Sequence, residues 1–275
     1  MESAAFDKPR FLRVWAGIVY VFLFAPIIVV VLFSFNSIKS LTNFDGFSTQ
    51  WYSEFLNDPS LRQSLFTSLE IAALTMLAAT AIGTALAIGL VRSRARWAPG
   101  ANILMLVPLV VPEIVTGISA LLIFSQLGIA LSIWTIILAH ITFSISYVTI
   151  VVRARMASIS QEVEEAAMDL GATRWQSVRL VLVPALWPSV VAAGLLTFAF
   201  SFDDFVLSFF TTGEDLQPLP VRIWSAIRFG LSPTINAIGT LMMVISLSAI
   251  ALAVLLPRLF GRRESGLKVL TASEG

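Results

Sequence analysis

Six stretches of the chain are nearly uninterrupted runs of apolar residues: roughly 13–35, 64–91, 102–126, 131–152, 186–212 and 234–257. Between them the sequence turns polar and gathers its arginines. A span needs about 20 apolar residues to cross about 30 Å of hydrocarbon as an α-helix. All six runs qualify. They are continuous rather than alternating, which argues against the strands of a β-barrel. Lipid offers backbone N–H and C=O groups no outside partner, so each run is predicted to be helical. Lys8, Arg10 and Arg13 precede the first run, as in a signal peptide. That run is too long for an h-region and no A-x-A site follows it, so a retained first helix is expected.

The basic residues fix an expected orientation. Lys8, Arg10 and Arg13 precede the first run; Arg92, Arg94 and Arg96 follow the second; Arg153, Arg155, Arg174 and Arg179 follow the fourth; Arg258, Arg262, Arg263 and Lys268 follow the sixth. Those fourteen fall on one side, against Lys39, Arg62, Arg222 and Arg228 on the other. Such asymmetry places both termini in the cytoplasm. An error in any one span would scramble this alternation, so the charges also support six. Trp51, Tyr52, Trp134 and Trp224 lie near the expected outer boundaries and fit an interfacial aromatic belt.

Composition narrows the function. Of 275 residues 57% are hydrophobic and 13% charged, which cannot clothe a soluble domain of this length. The net charge of +1 gives no basic character to attract nucleic acid. Cysteine is absent and His140 is the single histidine, so disulfides, thiolate or His-rich metal sites and a cysteine nucleophile are excluded. No nucleophile–base constellation is visible, and no catalytic residue is assigned. No glycine is followed by lysine, so a Walker A loop is absent and any ATP must be bound by another polypeptide.

The loop after the fourth run, 158–176, carries folding signals of its own. Ser158 and Gln161 have capping-box spacing. Ile159, Val163, Ala166 and Leu170 recur on one helical face, with Glu162, Glu165 and Asp169 on another. Gly171 suits a left-handed helix end. Thr173 and Gln176 form a second box. Two short helices joined by a glycine turn are predicted, lying against the mouth of the bundle. An amphipathic linker resting on the membrane surface is the alternative.

Four acids fall within or near the runs: Glu70, Glu113, Asp203 and Asp204. No Lys or Arg lies deep in any run to pair with them. A charge in the bilayer centre costs about 2.5–3.5 kcal/mol on insertion scales and marks a functional position. A cation pathway is therefore read from Glu113, Asp203 and Asp204. Phe202 and Phe205 beside the aspartates offer π faces to an ammonium. The competing reading gives one aspartate a capping or interfacial role. Glu113 follows Pro108 and Pro112, which bend a helix, and discontinuous helices line transport sites. Glu70 lies nearer an interface, and His140 reads as a hydrogen-bonded structural residue.

Glu165-Ala166-Ala167, three residues, Gly171, nine residues, and Val181-Leu182-Val183-Pro184 resemble the signature of bacterial binding-protein-dependent ABC importer permeases. Valines at 181 and 183 replace the isoleucine and leucine of that pattern. The resemblance implies a type I importer permease: an all-α membrane bundle of six transmembrane helices in a single domain, with a first helix about 13–35 and a core about 64–257. It also implies that Glu165, Ala166, Ala167, Asp169, Gly171 and Pro184 belong to a coupling segment that docks on an ATPase. Leu219–Ala237, Ser201–Asp204, Ser34–Asn36 and Glu165–Ala172 resemble putrescine/spermidine importer permeases in particular. The implied partners are a second, different permease, two ATPase subunits that bind ATP and Mg, a periplasmic substrate-binding protein and the lipid bilayer, with no cofactor in this chain. The same machinery for a sugar, an anion or iron is the alternative cargo reading. A proton-coupled secondary transporter is a rival of another class, for which no inverted repeat is found.

Overall fold

A computed structural model of the chain describes residues 10–92, 98–213, 216–228 and 232–271. Lys8, Arg94, Arg96 and residues 229–231 of the loop singled out above lie outside them. Among the described residues the secondary structure is helical, apart from a single bridge between Asn36 and Phe47. The chain divides into two compact units, residues 1–62 with 223–243, and residues 63–222 with 244–275.

The first unit begins with α1, Arg10–Phe33. It is apolar all round, and its apolar window is 0% buried. In water such a helix would have no face to hide; in lipid it needs none. After it, the side chain of fully buried Asn36 organises the following loop. Its Nδ2 donates to the carbonyls of Ser40 (3.1 Å) and Asn43 (2.8 Å), and its Oδ1 accepts from the Asp45 N–H (3.1 Å). The short helix α2, Gln50–Asn57, closes on this loop. Trp51 is buried and donates from Nε1 to the Asn36 carbonyl at 2.6 Å, and Tyr52 Oη meets Ser34 Oγ at 2.7 Å. Trp51 therefore does not serve the expected aromatic belt: a backbone acceptor at the loop start holds its indole inside. Trp134 and Trp224 are exposed, as a belt requires.

The second unit holds most of α3, Pro59–Arg92. Next come α4 (Ala98–Leu104), α5 (Val107–Val110), α6 (Glu113–Gln126) and α7 (Ile133–Met156). The loop segment contains α8 (Glu162–Asp169) and α9 (Arg174–Ser177). A π-helical turn, Val178–Leu182, leads into α10 (Val183–Asp203), followed by α11 (Val206–Thr211). Helices α12 (Leu219–Arg228) and α13 (Pro233–Thr271) complete the chain. Ala87 of α3, Val148, Val152 and Met156 of α7, and Leu182, Leu186 and Ala193 around α10 share one buried cluster. Thr149 Oγ1 lies 3.2 Å from the Gly83 carbonyl and ties α7 to α3.

Among the described residues five helices are long and apolar enough to span a membrane, and a bent pair brings the number to six. The bent pair corrects the expectation of one continuous helix over 102–126: Gly100–Val110 and Glu113–Gln126 meet at 104°. Val111 precedes a proline and is extended (φ −68°, ψ 130°), the conformation that a following proline ring favours. The expected run 186–212 is also broken, because α10 ends at Asp203 and α11 begins at Val206.

Ser158 does not cap α8. Its hydroxyl donates to the Arg155 carbonyl (2.7 Å), and the Glu162 N–H instead reaches Ser160 Oγ (3.3 Å). Thr173 and Gln176 do form the expected box. The helix they start is no separate element. It runs through the π turn into α10, so Arg174–Asp203 reads as one span. Pro184 has no N–H to give its preceding turn, and the wider π turn immediately before it relieves the ring's clash.

Candidate transport site

The two helix breaks meet. Glu113 is the first residue of α6, just after the bend, and Asp204 lies in the gap between α10 and α11. Helix α11 packs against both α6 and α7. Gly117 permits the approach on α6: a Cβ there would lie 2.8 Å from Phe210 Cδ2. On α7, Thr135 Oγ1 donates to the Thr211 carbonyl at 2.8 Å. The C-terminal end of α11 is thus held from both α6 and α7.

The result is a cavity of ≈ 700 Å³ whose lining includes Glu113, His140, Tyr147, Asp203, Asp204 and Phe205. Phe143 and Phe200 add aromatic wall, and among the described residues no Lys or Arg lines it. Tyr147 and Phe200 meet edge to face, with centroids 5.2 Å apart. The cavity thus combines negative charge with π surface, the pairing that holds an alkylammonium.

Asp203 is exposed, and the Ser246 hydroxyl of α13 lies beside it. Asp204 is largely enclosed: its Oδ1 accepts from the Leu207 N–H at 3.2 Å, and its Oδ2 is 2.8 Å from His140 Nε2. The Glu113 carboxyl adjoins Asp204. Phe205 lines the cavity. Phe202 does not; it is fully buried and stacks on Phe198 with centroids 5.9 Å apart. Glu70 is exposed and away from the cavity lining. His140, read from sequence as structural, sits inside the acid cluster. Its Nδ1 meets Ser201 Oγ at 2.8 Å and its Nε2 meets Ser208 Oγ at 3.2 Å. A lone histidine carries no periodic signal; only the helix break reveals its neighbours.

A second surface is built by α8 and α9. Gly171 takes φ +93°, which lets the chain reverse between them without a Cβ clash. The buried residue of α8 is Glu164, not the apolar stripe. Glu164 pairs with Arg92 at the end of α3, and Ser177 Oγ donates to its carbonyl at 3.3 Å. From Val163 on the stripe points outward, with Val163 51% exposed and Leu170 91%, while Ile159 is half-buried against the core cluster; Trp175 of α9, 71% exposed, adds to the outer apolar surface. Glu165, Ala166, Asp169, Gly171 and Pro184 are also exposed, and Ala167 is half-buried.

These features define a multi-span membrane permease, with broken helices around an acidic cavity and a structured loop presenting an apolar face. The chain belongs to the family of binding-protein-dependent transport system inner membrane components, whose profile matches residues 79–266. It is 38% identical to the spermidine/putrescine transport system permease protein PotC of Escherichia coli (strain K12) over 240 residues, covering 87% of this chain and 91% of that one. It is 39% identical to the putrescine transport system permease protein PotI of the same strain over 232 residues, covering 82% of each. Among solved structures, a bacterial ABC transporter involved in alginate import superposes with TM-score 0.72 at 14% identity, covering 92% of this chain and 96% of that one. The MetNI methionine ABC transporter gives 0.63 at 17% identity, covering 74% and 98%. The chain is a multi-pass inner-membrane permease subunit of an ABC importer, with the type I permease fold.

Proposed function

We propose that this chain carries a polyamine, putrescine or spermidine, across the inner membrane as one half of the channel of an ATP-driven importer. The observation that carries this reading is the cavity itself: Glu113, Asp203 and Asp204 among aromatic side chains, with no lysine or arginine in its lining among the described residues. A flexible polycation needs several negative contacts and tolerates aromatic walls; an anion would be repelled by such a lining. The names of the relatives at 38% and 39% identity point to the same cargo. Transport proceeds by alternating access, with both termini in the cytoplasm, a placement the distribution of lysines and arginines supports.

The energy comes from two ATPase subunits that bind ATP and Mg. They dock on residues 158–176, where Leu170 and Trp175 offer apolar contact and Glu165 and Asp169 offer charge. A second, different permease completes the channel, and a periplasmic binding protein delivers the polyamine. Glu165, Ala166, Ala167, Asp169, Gly171 and Pro184 form the coupling segment. Glu113, Asp203, Asp204 and Phe205 form the path, with Phe202 supporting them from the core. The contiguous Glu113, Asp204 and His140 would also suit a proton relay, which keeps a proton-coupled transporter as the second reading.

Uptake of radiolabelled putrescine and spermidine in cells with and without this chain tests the proposal. Uptake should vanish without the chain, survive collapse of the membrane potential and stop on ATP depletion. Loss on collapse of the potential with ATP intact would favour the proton-coupled reading instead.

A further inference from the structure

The adjacent aspartates sit in unlike surroundings. Asp203, the last residue of α10, is exposed and lines the cavity. The Ser246 hydroxyl lies beside it. Asp204 is enclosed: its Oδ1 accepts from the first turn of α11 through the Leu207 N–H, and its buried Oδ2 has no hydrogen-bond partner but lies within ion-pair distance, 2.8 Å, of His140 Nε2. His140 is 2% exposed, and its two nitrogens reach to either side of the break: Nδ1 to Ser201 on α10, Nε2 to Ser208 on α11 and to Asp204 between them. The imidazole thus bridges both pieces of the interrupted span from the neighbouring helix α7.

We infer that the two aspartates have separate jobs. Asp203, with Glu113, meets the cationic cargo, whereas Asp204 is clasped by His140 and is a positioning residue that holds the α10–α11 break in shape. An ammonium entering the cavity finds Asp203 facing it. To use Asp204 it must compete with an imidazole already 2.8 Å from Oδ2. Neutralising Asp203 removes a contact to cargo. Neutralising Asp204 or replacing His140 breaks the same contact, so the two losses overlap rather than multiply. This division rests on reading the cavity as the cargo path, and the clasp itself does not.

A pair of double-mutant cycles decides it, since residues acting as one unit give non-additive effects while independent ones multiply. The readout is labelled spermidine uptake by proteoliposomes containing the complete assembly, with recovery of the purified complex measured alongside. Asp204→Asn and His140→Ala should each lower uptake by roughly tenfold, and the double variant should be no worse than either alone. His140→Gln, whose amide still offers a donor and an acceptor, should recover part of the loss. Asp203→Asn should multiply with either of them. The inference is overturned if His140→Ala transports normally, if its loss multiplies with that of Asp204→Asn, or if Asp203 and Asp204 prove non-additive with each other. It is also overturned if both His140 variants prevent assembly, which would make the residue a general folding determinant. Normal uptake in Asp203→Asn with the clasp cycle intact would instead remove the cargo-path reading.

Discussion

Single residues decide whether the site exists. Gly117 is small because α11 lies against it, with Phe210 where a Cβ would be. Gly117→Leu should push α11 away from Glu113, destabilise the chain by about 1–3 kcal/mol as an overpacked site, and abolish uptake; thermal denaturation of the purified complex and uptake measure the two effects. Gly171 is constrained differently, by φ +93° in open space. A β-branched residue in left-handed backbone costs about 1–2 kcal/mol or more, so Gly171→Val should distort the α8–α9 turn. The assembly should form, yet ATP hydrolysis should continue with uptake reduced at least about tenfold. Measuring hydrolysis and uptake on one preparation checks this, and a normal ratio would contradict it.

Among elements, the loop between α7 and α10 is the most instructive. Its glycine turn and its Thr173–Gln176 box were legible in the residues, because both are local chemistry. The direction of its apolar stripe was not. Periodicity places Ile159, Val163, Ala166 and Leu170 on one face, but it does not say that Ile159 packs inward while the part within α8 does not. The structure turns it outward because Glu164 claims the inner position by pairing with Arg92 across 72 residues of sequence. Glu164→Ala should leave Arg92 without its carboxylate and cost about 1.5–3 kcal/mol, the worth of a hydrogen bond to a charged group. Restoration of stability by exchanging the two charges would check it. The outward stripe makes a second expectation. The chain has no cysteine, so Leu170→Cys supplies a unique thiol. That thiol should cross-link to an ATPase subunit, and cross-linking to lipid or to nothing would contradict docking there.

At the scale of the whole molecule, the six runs and their helical nature were readable from hydropathy. Two interruptions were only partly so. Pro112 announces a bend, although 104° exceeds what a proline kink within one helix suggests. The break at Asp204 has no proline or glycine to signal it; an aspartate that caps α11 replaces them. The acids of the pathway were visible in sequence as charges without partners, while their convergence with His140 depends on contacts spanning more than 60 residues. A helix read as continuous would have separated Glu113 from Asp204. Broken spans bring them together around one cavity.

The account stands on cationic cargo passing through that cavity. Its most direct test is labelled spermidine uptake by proteoliposomes containing the complete assembly with Glu113→Gln and Asp203→Asn introduced together. Uptake should fall by more than about tenfold while the complex is recovered whole and still hydrolyses ATP. Uptake equal to that of the unaltered chain would place the path of the cargo elsewhere.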